Sequence, residues 1–163
     1  MTPPFPPRID PIDASITAWM ARHGVTLARI SLGLVFFWFG LIKFIPGWSP
    51  AEDLSTRTIA AISFGLVQPA LGLPLLAAWE VAIGVGLLTG RFLRITLLLL
   101  CLQMIGTFVP LVLYPDEMFA VIPFAPTLEG QYIIKNLVLI SAAIVIGATV
   151  RGGRLSSRPP QPA

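Results

Sequence analysis

The sequence predicts an all-α membrane protein: a four-transmembrane-helix bundle with a short amphipathic outer helix between spans one and two. Three observations carry that prediction. First, only 12% of the 163 residues are charged and 55% are hydrophobic, whereas a soluble domain carries about 25% charge. Mean hydropathy is +0.83. Second, four apolar stretches approach the ~20 residues that cross a ~30 Å hydrocarbon core at helical rise. Third, the arginines sort to one side. If the chain crosses four times, Arg8, Arg22, Arg29, Arg91, Arg94, Arg151, Arg154 and Arg158 share one face, and only Arg57 lies in an opposite loop. Glu52, Asp53, Asp116, Glu117 and Glu129 fall on that opposite side. Three or five crossings would scatter the arginines. The positive-inside rule then expects a multi-pass protein of the cell inner (plasma) membrane with both termini cytoplasmic.

Residues 1–14 are Pro-rich and read as a disordered tail. They lack the apolar core and small-residue cleavage site of a signal peptide, so span one is expected to act as an uncleaved anchor. Residues 15–23, SITAWMARH, read as a short helix at the inner surface with Trp19 and Met20 toward lipid. A four-helix domain is expected over 15–150. Its first span covers about Val25–Ile45 and stops at Pro46-Gly47. Arg29 lies near its inner end, where it can snorkel.

Ser49-Pro50-Ala51-Glu52 has the form of a capping box with Pro at the first helical position. The helix it opens is expected to run to about Val67. Asp53 and Arg57 are spaced i,i+4, and Ile59, Ile62 and Leu66 make an apolar stripe. Polar interruptions mark it as a surface helix rather than a span. Span two, about Leu73–Leu88, ends at Thr89-Gly90, and a tight basic loop leads to span three, Ile95–Leu113, with Pro110 able to kink it. A Pro-rich loop covers 114–128, span four covers Tyr132–Val150, and a basic disordered tail covers 151–163.

Composition also excludes chemistry. The net charge of +3 comes from arginines flanking spans, so it does not indicate nucleic-acid binding. One cysteine, Cys101, permits no intrachain disulfide, and it reads as a small buried apolar residue. One histidine, His23, excludes bis-histidine haem ligation within the chain, and no His/Cys cluster suggests a metal site.

Lys43, Glu80 and Lys135 are ionisable residues inside otherwise apolar spans. Such residues cost several kcal/mol in lipid by the more lenient scales, on the order of 3, and usually have a partner or a job. Glu80 lies about 10 Å below the outer boundary at helical rise. Gln103, Thr107 and Asn136 lie in the same half of the membrane. The interior faces are expected along Gly33, Phe36, Gly40 and Lys43 in span one, and along Ala77, Glu80, Gly84 and Leu87 in span two. In span three the expected stripe is Thr96, Leu99, Gln103, Gly106 and Pro110. In span four it is Lys135, Leu139, Ala142 and Ile146, with Asn136 flanking. Small residues let helices approach closely. These stripes imply an outward-facing polar pocket of Lys43, Glu80, Gln103, Thr107, Glu129, Lys135 and Asn136, walled by Trp38, Trp79 and Tyr132. Glu80 would pair with Lys43 or Lys135, and Glu129 with the other. Plainer roles stand beside this: the lysines snorkel, Glu80 is a structural ion-pair member, and Gln103 and Asn136 join helices.

The stretch LARISLGLVFFWFGLIKFIPGWSPAED at 27–53 resembles the first segment of DoxX-like membrane proteins. Trp79-Glu80 with the following IGVGLLTGRFLR, then GTFVPLVLYP, then PTLEGQYIIKNLVLI, extend the likeness over most of residues 25–150. The resemblance is closest to a branch of small inner-membrane proteins linked to reactive-chlorine resistance, whose first outer loop is longer. It implies a four-helix bundle and an association with quinone-linked oxidoreductase complexes, with the polar positions at Lys43, Glu80 and Lys135. Three functions remain open at this point. The first is a redox-associated subunit binding a quinone or another small molecule, with a membrane or periplasmic partner carrying the redox centre. The second is a non-enzymatic scaffold or chaperone-like bundle. The third is a small transporter or channel working as a homo-oligomer.

Overall fold

The computed structural model describes residues 10–153. The expectations for residues 1–9 and 154–163 lie outside them. Four helical segments are long and apolar enough to cross a membrane: Pro11–Ile42, Pro69–Thr89, Leu93–Leu113 and Leu128–Thr149.

Helix α1 (Asp10–Ile42) is one unbroken helix. The separate surface helix expected over 15–23 is instead its first turns, and the tail expected to residue 14 is already helical at residue 10. Pro11 falls in the first turn, where proline is tolerated, no later proline interrupts the helix, and Gly24 alone costs only about 1 kcal/mol. At 33 residues, α1 is about 50 Å long, which exceeds the hydrocarbon core. Helix α2 (Glu52–Ile62) is shorter than the expected 50–67. Its N-cap is Ala51, with no side-chain cap. The capping box does not form because Ser49 and Pro50 lie in the turn ahead of the helix. The Glu52 carboxylate instead reaches back to accept from the Gly47 N–H at 2.8 Å.

Helix α3 (Pro69–Thr89) starts four residues before the expected Leu73, with Pro69 in its first turn. It ends at Gly90, whose φ of 69° is left-handed. Helix α4 (Leu93–Phe108) continues into the single turn α5 (Pro110–Leu113), and the ladder breaks where Pro110 lacks its N–H. The Pro-rich loop holds structure that its composition did not announce. A turn α6 (Pro115–Met118) leads into a small antiparallel hairpin of β1 (Phe119–Val121) and β2 (Ala125–Pro126). Span four is α7 (Leu128–Ile134) followed by α8 (Asn136–Thr149), joined at Lys135.

The spans form a ring in chain order. Helix α3 lies beside α1 and α4, and α8 closes the ring against α4 and α1. The core is Leu32, Phe36, Ile83, Leu87, Leu100, Met104, Ala143 and Ile146. The tightest seam is α1 on α3. A Cβ added at Gly84 would fall 2.5 Å from the Phe37 backbone nitrogen, and one added at Gly40 would fall 2.8 Å from the Val81 nitrogen. Backbones at that distance leave no room for side chains, so glycine is obligatory there. The predicted stripes of spans one and two are buried throughout, from Gly33 to Lys43 and from Ala77 to Leu87.

Candidate functional site

The α1–α3 seam places Lys43 beside Glu80. Helix α1 ends at Ile42, one residue before Lys43. The Lys43 ammonium folds back to donate to the Phe39 carbonyl at 3.3 Å, which satisfies a free carbonyl of the last turn and places a cation at the helix C-terminus. The same Nζ donates to Glu80 Oε2 at 2.7 Å. From α4, Gln103 Nε2 donates to Glu80 Oε1 at 2.7 Å. Both carboxylate oxygens of Glu80 are therefore held, each from a different neighbouring helix. Lys43 is 7% exposed and Glu80 8%. A buried pair of this kind holds only with additional hydrogen bonds, here from Gln103 to the second carboxylate oxygen and from the ammonium to the Phe39 carbonyl.

One polar atom of the cluster is left over. Gln103 Oε1 is buried and has no hydrogen-bond partner. Trp79, next to Glu80 in the chain, donates its Nε1–H to the Leu99 carbonyl at 3.1 Å, one turn from Gln103. The α3–α4 seam is thus bonded twice, at Trp79–Leu99 and at Glu80–Gln103. Trp79 remains 41% exposed at the edge of that seam, and Gln103 is half-buried.

The other expected pocket members lie elsewhere. The Thr107 hydroxyl donates to its own helix at Gln103 O, 3.0 Å. Trp38 is 63% exposed and Tyr132 65% exposed, so neither walls a pocket. Lys135 and Glu129 are exposed and Asn136 is half-buried. Among the described residues no ion pair or side-chain hydrogen bond joins these three to the triad, and Glu129 pairs with neither lysine. The reason lies in the face that span four turns inward. Gly130, Ile133, Ala143 and Ile146 are its buried residues. Lys135 lies ~200° around α7 from Ile133, and α7 gives way to α8 at Lys135, so the register of Ile146 does not carry back to it. The expected stripe began at Lys135 because a charge was assumed to face inward.

Three further roles went unread or misread. Arg29 does not snorkel. Its Nη1 donates to the Leu87 carbonyl and, at 3.2 Å, to Leu88 O, capping the last turn of α3 beside Gly90. Arg57 joins two loops: besides Asp53 (2.9 Å), it donates to both Glu117 oxygens at 3.0 and 2.8 Å and lies 4.9 Å over the Tyr114 ring. These hydrogen bonds hold the Glu117 carboxyl below the usual carboxylate range. Cys101 is exposed on the bundle surface rather than buried. The i,i+4 spacing pointed to Asp53, but nothing in the sequence pointed from Arg57 to Glu117, 60 residues away.

A model of the DoxX family matches residues 24–113, more than half of the chain. This protein belongs to the DoxX family. No curated protein and no solved structure matches it. With its four apolar spans, this DoxX protein is a multi-pass membrane protein in a lipid bilayer. The family match takes in spans one to three, and so holds Lys43, Glu80 and Gln103, the DoxX residues that the fold brings together. It stops before Lys135 and Asn136.

Proposed function

We propose that the protein is a redox-associated membrane subunit whose Lys43–Glu80–Gln103 cluster binds a quinone or a similar small molecule within the membrane. The unpartnered Gln103 Oε1 is the observation that carries this reading. A buried amide oxygen with no donor is costly, on the order of 1–3 kcal/mol, and a quinol hydroxyl is a donor that would meet it. A quinone supplies two-electron, two-proton chemistry when bound, and a partner protein carries the centre that exchanges electrons with it. This chain's residues bind and orient. Gln103 accepts from the hydroxyl, Trp79 forms the wall at the edge of the α3–α4 seam, and Glu80 holds or releases a proton within reach of Lys43. The α2 side of the bundle faces outward in this reading and the basic ends face the cytoplasm, as the arginine distribution favours.

The test is extraction of lipids and quinones from the purified protein, combined with titration of a soluble quinone against wild type and Glu80→Gln. Bound quinone and a quinone-dependent change that Glu80→Gln abolishes are expected. Absence of both rejects the reading. A scaffold role is the second reading, favoured by the bare apolar side chains of the α2 side: Phe64 is 92% exposed, Leu66 86% and Phe124 86%. Specific cross-links from those positions to one protein would support it.

A further inference from the structure

Lys135 is a cation that the bundle leaves outside. It lies seven residues after Leu128, the first residue of α7, hence about 10 Å along the apolar span from its first residue at helical rise. It faces away from the core. A charge at that depth on a lipid-facing surface is unfavourable without an anionic partner, and among the described residues no carboxylate lies within ion-pair distance. Its direction is the informative point. Side chains on a helix lean toward the N-terminus, and the N-terminus of span four is its end on the α2 side. The ammonium follows that lean and sits 5.4 Å from the Tyr132 ring centroid, almost one turn nearer the membrane face. Tyr132 is 65% exposed, and Gln131 beside it is exposed as well. Three donors, an ammonium, a phenol and an amide, are therefore exposed within about one turn of each other near the span's N-terminal end. Below them Leu137 and Val138 present 55% and 69% exposed apolar surface.

We infer that Gln131, Tyr132 and Lys135 bind the phosphate of an anionic phospholipid in the leaflet on the α2 side, with its acyl chains along Leu137 and Val138. Charge and depth select this occupant. A second copy docked on this face about a two-fold axis along the membrane normal would bring two Lys135 ammoniums together at one depth. A lipid phosphate sits where the ammonium has been carried and offers the opposite charge. The site is separate from the Lys43–Glu80–Gln103 cluster and does not depend on what that cluster binds.

The test is native mass spectrometry of the full chain released from bilayers that mix phosphatidylglycerol with phosphatidylcholine. Wild type is expected to retain one more phosphatidylglycerol than Lys135→Gln, with about a five-fold loss of selectivity in the variant. Lys135→Arg should keep the lipid. Arg94→Gln, at the other end of the bundle, should keep the lipid that Lys135→Gln loses, and its loss there too would overturn the assignment to Lys135. An unchanged melting temperature of Lys135→Gln is expected, because the residue is exposed. Equal phosphatidylglycerol retention by wild type and Lys135→Gln overturns the proposal. So does a cross-link from position 135 to an acidic membrane helix with lipid selectivity unaltered.

Discussion

Glu80 is held by two donors, and the consequences of removing each differ. Replacing Lys43 by Met leaves a buried carboxylate with only the Gln103 amide, and replacing Glu80 by Leu leaves a buried ammonium. Breaking a buried pair from one side costs about 3–5 kcal/mol, so each single variant should unfold at markedly lower denaturant in detergent. The double variant Lys43→Met/Glu80→Leu should recover most of that loss, because two apolar side chains in lipid leave no charge behind. A double variant no more stable than either single one would show that the pair does not act as a unit. The same variant separates structure from chemistry: if the cluster has a task, a folded double variant lacks it. The pairing of Lys43 with Glu80 was legible in the chain, since both lie on glycine-bearing stripes at similar depth. The assignment of Lys135 to the same cluster was not sound. Depth can be counted along a sequence, but the face a helix turns inward depends on which apolar residues its neighbours accept, here Ile133, Ala143 and Ile146.

The α1–α3 seam depends on close backbone approach. Gly84→Val would drive a branched side chain into the Phe37 backbone. Overpacking typically costs 1–3 kcal/mol, and a loss of about 3 kcal/mol is expected here because backbone rather than a flexible side chain must move. Thermal unfolding followed by circular dichroism checks it, with Gly24→Ala, which meets nothing within 4 Å, as the comparison expected to lose no stability and to gain up to about 1 kcal/mol. The hairpin after α6 responds to a different variable. The Glu117 carboxyl is held below its ordinary range by Arg57. A depressed carboxyl contributes stability that is present above the unfolded pKa and lost as pH falls through the folded one. Hydrogen exchange of residues 115–127 should therefore quicken at acidic pH, below the ordinary carboxylate range. The effect should be modest and should shrink in high salt, because the pair is solvent-exposed. Exchange independent of pH after correction for the intrinsic rate would contradict the role given to Arg57. This hairpin was not readable beforehand. Its strands are three and two residues long, too short to show a period, and its partner Arg57 lies in the other loop.

Viewed whole, the molecule is a ring of four spans whose polar atoms gather between three of them. Spans one to three carry both the family match and the buried cluster. Span four closes the ring with apolar residues and turns its lysine outward. Composition and arginine placement made the four-span architecture readable, because the bilayer constrains length and charge strongly. The loop-side contacts were unreadable for the opposite reason: water tolerates many arrangements there.

The order of residues in the Lys43–Glu80 pair has a consequence for biosynthesis. Chains are made from the N-terminus, so Lys43 is already in place when Glu80 reaches the membrane. The acidic residue never needs to partition into lipid alone. Spans one and two can insert as a helical hairpin, zipped by Gly40 and Gly84, with opposite charges neutralised before the Gln103 amide has been translated. A chain truncated after Arg94 should therefore insert both spans in a microsomal glycosylation assay. The same truncation carrying Lys43→Leu should leave span two partly uninserted. Equal insertion of the two would mean that Glu80 enters lipid without help from the lysine that precedes it.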